Sequence, residues 1–157
     1  MDVTIARIVH VLSVVLWIGG VGFVTTVLIP AVRRSEPPEG RLAAFARFEG
    51  LFAWQARISV GLAGLSGLYM TWRLDAWSRF ADPAFWWMDL MVLVWAAFAA
   101  LLYAAEPLVL HRRLELEIAA GRSSAAFDRM ELFHRVMLAL SLVAVLGAVG
   151  GAHGLFV

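Results

Sequence analysis

His10, Ser13, Trp17 and Gly20 stand at offsets of three, seven and ten residues, so in a helix they share one face. A neutral imidazole on such a stripe could ligate a metal or a haem iron. It could equally hydrogen-bond a serine or a backbone carbonyl of a neighbouring helix. His153 offers a second imidazole at the same depth, and the two together would make an axial pair for one iron. His111 and His134 form a corresponding pair toward the opposite end. His134 and His153 are 19 residues apart, about 28 Å along a helix, so they cannot share an ion and a second pair would mean a second centre.

Glu131 and His134 form a Glu-x-x-His arrangement, the spacing carboxylate-bridged metal sites use on helices, here in a single copy. Glu106 stands beside Pro107 at a depth similar to Arg57, a pairing that could be structural, hold the propionate of a haem, or relay protons. Met70, Met88 and Met91 cluster toward the His10 side, and thioethers with imidazole suit Cu(I). Gly61, Gly64 and Gly67, together with Gly19, Gly20 and Gly22 and with Gly147, Gly150, Gly151 and Gly154, give lean helix surfaces. Such surfaces let another helix approach closely, within the chain or in a homo-oligomer, or let a flat macrocycle lie against the backbone.

The elements that position these residues follow from composition. The chain has 157 residues, of which 62% are hydrophobic and 16% charged, and its mean hydropathy is +0.80. A soluble domain of this size has no core large enough to hide so much apolar surface. Residues 8–29, 51–72, 85–110 and 136–154 each meet the requirement of roughly 20 mostly apolar residues for a bilayer span. The expected fold class is therefore all-α, an integral membrane four-helix bundle forming one domain over residues 1–157, because backbone in lipid must satisfy its own hydrogen bonds. The first span is expected to be retained, since no small-residue cleavage site follows it.

Every basic side chain is arginine. Arg33, Arg34, Arg41, Arg47, Arg112, Arg113, Arg122, Arg129 and Arg135 flank the first and third loops, against Arg7, Arg73 and Arg79 on the other side. The positive-inside rule makes those two loops cytoplasmic and places both termini outside, in the periplasm if the membrane is a bacterial inner membrane. Leu42, Phe45 and Phe48 recur among Arg41, Arg47 and Glu49 and predict a short amphipathic helix lying on the cytoplasmic surface. Trp72, Trp77, Phe80, Phe85, Trp86 and Trp87 around Asp82-Pro83 read as an interfacial aromatic belt, with a quinone or lipid docking surface as the alternative. The absence of cysteine excludes disulfides, thiolate metal sites and iron–sulfur clusters. A net charge of +1 gives no sign of nucleic-acid binding.

The run His10-Val-Leu-Ser-Val-Val-Leu-Trp17-Ile-Gly19-Gly20, followed by Phe23, resembles the first helix of the copper resistance protein D family and of the related HemJ-type protoporphyrinogen oxidases. Ser66-Gly67, Trp87-x-x-Leu90 and the four-span layout are similar more loosely. The resemblance implies that His10 ligates a b-type haem, with Trp17 and the paired glycines as its packing context. Both families carry a lysine early in the third helix, where this chain reads Trp87-Met88-Asp89-Leu90-Met91; the fold and haem binding are what the resemblance carries over, without the oxidase activity.

Together these readings predict a membrane protein holding one b-type haem, or two, and exchanging electrons with a quinone or a partner redox protein. His10 and His153 would be the iron ligands, His111 and His134 a possible second centre, Trp17 and Gly20 the packing context, and Arg57 the partner of a propionate. Copper handling through His10, His153 and the three methionines is the alternative reading. A non-catalytic accessory subunit packing against a larger membrane complex is the second.

Overall fold

A computed structural model describes residues 1–110, 112, 116, 117, 120, 121 and 123–155, with residues 51 and 106–110 described as backbone alone. His111, Arg113, Arg122 and the Glu106 side chain, all singled out from the sequence, lie outside the described residues. Among the described residues the chain is helical and contains no strand.

Helix α1 (Asp2–Phe23) continues through a π-helical turn at Val24–Leu28 into α2 (Ile29–Ser35), making one unbroken rod. Pro30 explains the wide turn. It has no N–H to return to the carbonyl four residues earlier, and the chain accommodates this by lengthening the local repeat. The Ile29 N–H reaches the Val24 carbonyl, five residues back. Thr25 and Thr26 donate their hydroxyls to the carbonyls of Val21 and Gly22, each at 2.7 Å.

Helix α3 (Arg41–Arg73) is a single helix of 33 residues. This corrects the expectation of a separate amphipathic helix on the membrane surface over the first loop. Leu42 and Phe45 are buried, and Phe45 packs with Val24, Ile29, Val32 and Phe127. Two of the three apolar residues of the stripe thus face protein, whereas Phe48 is exposed, and the segment continues directly into the rest of α3.

After α3 the chain reverses at Asp75, whose φ of 48° is left-handed, and passes through short 3₁₀ turns at Ala76–Ala81 and Pro83–Phe85. Asp82 caps the second turn by accepting the Ala84 N–H at 2.9 Å. Helix α4 (Trp86–Ala100) runs into a π-helical stretch, Leu101–Leu110, and α5 (Ser123–Ala152) ends the described fold.

Among the described residues three helical segments are long and apolar enough to cross a membrane: Asp2–Ser35, Pro83–Ala105 and Ser123–Ala152. Helix α3 has the length, but Gln55, Arg57 and its glycines lower its hydropathy. Neighbouring elements run antiparallel. Asp2 accepts hydrogen bonds from Tyr69 and Arg73 at the far end of α3, and the Ser123 hydroxyl, at the start of α5, reaches the Glu39 carbonyl just before α3. Trp86 and Trp87, at the start of α4, sit on Gly147 near the end of α5.

The surface is apolar along much of its length, with Leu65, Leu93 and Leu146 largely exposed. The interior is correspondingly mixed, because Ser13, Ser59, Ser66 and Ser141 are buried beside Trp17, Val60, Val94 and Phe98. Ser59, Ser66 and Ser141 bond the carbonyl one turn back, which hides their polarity within their own helices. This distribution is compatible with a membrane protein.

Candidate functional site

His10 is half-buried on α1 and its ring is held by α3. Nδ1 lies 2.9 Å from the Ala63 carbonyl and 3.2 Å from the Ser66 hydroxyl. A carbonyl only accepts, so the ring proton sits on Nδ1 and the lone pair of the neutral imidazole is on Nε2. Nε2 has no hydrogen-bond partner among the described residues. Gly67 allows this seat: a Cβ there would come within 3.2 Å of the imidazole. Both readings of His10 thus meet in one geometry. It bonds a neighbouring helix, and the bond presents the other nitrogen in the tautomer that ligates metal.

Trp17, two turns deeper on the same face, is 4% exposed and packs edge-on against Phe98, with ring centroids 5.0 Å apart. Its indole Nε1 is buried without a hydrogen-bond partner among the described residues. Gly20 seats the tip of the Phe52 ring. The other lean surfaces are filled in the same manner. Gly61 receives the Tyr103 hydroxyl, Gly64 the Trp95 indole, Gly147 the Trp86 ring and the Trp87 Cβ, and Gly151 the ring of Trp87. Trp95 Nε1 also donates to the Val60 carbonyl at 2.9 Å. Gly20, Gly61, Gly64, Gly67, Gly147 and Gly151, which could have faced a macrocycle or a second copy, hold side chains of this chain, whereas Gly19 and Gly154 have open space around them among the described residues.

A cavity of about 50 Å³ lies among α1, α3, the Leu101–Leu110 stretch and α5, lined by Trp17, Glu49, Phe52, Phe98 and His134 among others. His134 is half-buried, with its ring edge-on to Phe45 and Nδ1 3.0 Å from the Met130 carbonyl.

The Glu131 carboxylate, paired with His134 in the sequence as a possible metal motif, is committed elsewhere. It is 7% exposed and meets both Arg33 and Arg135, with Arg33 Nε at 3.0 Å. Arg33 also reaches Asp128 at 2.6 Å and lies over the Phe127 ring. The i to i+4 spacing of Glu131 and Arg135 was the sequence signal for this cluster; the link to Arg33 is tertiary.

Arg57 Nε donates to the Leu102 carbonyl at 3.2 Å. In a π-helical repeat that carbonyl would bond the N–H five residues on, which is Pro107 and has none, so the guanidinium supplies the missing donor. His153 is exposed and turns Nδ1 back to the Val149 carbonyl at 2.8 Å. Trp17 and His134 therefore meet around one cavity, while His10 and His153 bond different helices. Phe52 is a contributor that sequence reasoning missed.

The donor set at His10 fits an iron ligand. The interior cavity does not fit a macrocycle, because cofactor pockets occupy roughly 300 Å³ or more. Among the described residues no group of three or more His, Cys, Asp and Glu side chains is placed to hold a metal ion. No protein-family model, curated protein or solved structure matches this chain.

Proposed function

We propose that the protein crosses a bacterial inner membrane four times, with both termini outside, and binds a b-type haem through Nε2 of His10. The observation that supports this reading is the hydrogen bond from Nδ1 to the Ala63 carbonyl, which fixes the ring and its ligating tautomer. The likeness of His10 through Gly20 to the first helix of the copper resistance protein D and HemJ-type families points the same way. The haem, when bound, would supply one-electron chemistry with a quinone or a redox protein as partner. The chain's own part is to orient the imidazole from α3 and to enclose Trp17 beneath it. His153, with Nδ1 likewise on a carbonyl, is the proposed second ligand.

Copper handling is the second reading, and one observation favours it. Ala63, Ser66, Gly67 and Met70 share a face of α3, so the thioether of Met70 follows the seat of His10 by one turn.

The visible spectrum of detergent-purified protein from haem-replete cells separates the two. Haem binding predicts a Soret band and a reduced α band, with His10→Ala removing most of the absorbance and circular dichroism confirming retained helix. Well-folded wild-type protein with no Soret band overturns the haem reading, and stoichiometric copper in that sample would establish the second.

A further inference from the structure

The exposed side chains divide the bundle along its axis. On α3, Trp54 and Trp72 are both largely exposed and stand 18 residues apart, about 27 Å along the helix. On α4 and its π-helical continuation, Trp86 and Tyr103 are exposed and 17 residues apart, about 26 Å. The two helices are antiparallel, and the bond from Arg57 Nε to the Leu102 carbonyl fixes their register. Counted from that bond, Trp72 stands level with Trp87 and Trp54 with Ala105, so the aromatics of the two helices match in depth to within about two residues. They mark two levels. The same counting from the bond between His10 and Ala63 places α1 between the levels from Met1 to Gly19, and the contact of Phe45 with Phe127 places α5 between them from Val136 to Gly154.

Between the levels the surface suits lipid. Ile58, Leu62 and Leu65 on α3, Leu93 on α4 and Leu146 on α5 are all exposed. Apart from Asp2 at the outer edge, Arg7 is the one exposed Asp, Glu or Arg in this zone among the described residues. It lies about 9 Å from the outer level, a depth from which an arginine side chain reaches the headgroup layer. Gln55 and Arg57, which lower the hydropathy of α3, fall within one turn of Trp54 at the arginine-rich level.

Beyond that level the pattern changes in two steps. Phe23, Phe48 and Phe133 are exposed within about 10 Å of it, alongside Arg47 and Arg135, a mixture that a headgroup layer accepts. Farther out, in α2 and in residues 41–46 and 123–129, every exposed residue is Ala, Ser, Arg or Asp. Ile29, Val32, Leu42, Phe45 and Phe127 are buried there. Apolar inside and polar outside is the distribution of helices packed in water.

We propose that the acyl chains of a bilayer cover the bundle only between the two aromatic levels, and that α2 with residues 41–46 and 123–129 forms a three-helix platform standing in water beyond the headgroups. The occupant of the exposed apolar faces is lipid, because the spacing of the levels matches a hydrocarbon layer of roughly 30 Å on two helices independently. A second protein surface would impose no such thickness. This placement rests on four crossings of the membrane and adds where along each helix the lipid stops. It also sets His10 inside the outer half of the lipid layer, since its partner Ala63 lies nine residues, about 14 Å, from Trp72.

Because the chain has no cysteine, a nitroxide on a single introduced cysteine reports depth. It collides with oxygen in lipid and with a neutral nickel chelate in water. The probe is the full-length protein in vesicles of oleoyl phosphatidylcholine and phosphatidylglycerol. Leu65→Cys, Leu93→Cys and Leu146→Cys should favour oxygen, and Ala31→Cys, Ala43→Cys and Ala125→Cys the chelate, the accessibility ratio differing roughly tenfold between the sets. All six positions are exposed, so the labels displace no packed side chain. Chelate access at Leu65 with Leu93 and Leu146 protected would take α3 out of the membrane and overturn the four crossings together with this placement. Protection of Ala31, Ala43 and Ala125 along with the other three would keep the crossings and overturn the platform alone. Should one platform variant fail to fold, the other two stand at the same level and decide.

Discussion

A histidine on an apolar helix face has two ordinary fates, a hydrogen bond to a neighbouring helix or a bond to a metal, and His10 shows why they are not exclusive. Its Nδ1 bond to Ala63 is what a purely structural histidine would make, and it also leaves the ligating nitrogen uncommitted. Glu131 is the opposite case, since both arginine contacts use the carboxylate that a metal would need. Replacing Glu131 by alanine should destabilise the protein by about 2–3 kcal/mol. This lies below the full cost of breaking a buried pair, because Arg33 and Arg135 keep substantial exposure to solvent. Thermal unfolding in detergent measures it, and a loss below about 0.5 kcal/mol would show that the cluster holds α2 and α5 together only weakly.

Helix packing follows a repeated device in which a glycine on one helix receives an aromatic side chain from another: Gly20 with Phe52, Gly64 with Trp95, Gly147 with Trp86 and Trp87. Without a strong hydrophobic drive between helices in lipid, shape fit of this kind supplies much of the association. Two glycines in similar helical settings should then respond oppositely to the same change. A methyl group at Gly147 would stand 2.7 Å from Trp87 Cβ, an atom fixed to its backbone, so Gly147→Ala should cost about 1–3 kcal/mol. Gly19 has nothing within 4 Å, and Gly19→Ala should be neutral or stabilise by about 0.5–1 kcal/mol through helix propensity. Unfolding midpoints of the two variants check this, and equal effects would refute the packing assignment. The π-helical stretches belong to the same scale: Pro30 and Pro107 each remove a donor, and the wide turns, with Arg57 at the second, accommodate the loss.

At the scale of the molecule, the exposed leucines and valines lie between two unlike ends. One carries Arg33, Asp128, Glu131 and Arg135, and the other the aromatic loop from Trp72 to Trp87 with Asp2 and Arg73. Because the native chain has no cysteine, single cysteines report sidedness cleanly. In intact expressing cells a membrane-impermeant thiol reagent should label Ser78→Cys in the aromatic loop and leave Glu39→Cys unlabelled until the membrane is opened. Labelling of Glu39→Cys alone would invert the proposed topology.

By itself the sequence determined the helical class, the apolar segments and the concentration of arginine at the loops, because these depend on composition and on period along one chain. It also placed His10, Ser13 and Trp17 on one face. What the tertiary structure decided is what each face meets. Leu42 and Phe45 have the spacing of a surface helix, yet neighbours on α2 and α5 bury Phe45 and carry α3 back through the first loop. The glycines announced close approach without saying whether helix, macrocycle or ring would approach, since a missing side chain specifies room and not its occupant. The cavity joining Trp17 to His134 could not be read from a linear pattern, because its walls come from segments more than a hundred residues apart and exist only once the helices pack.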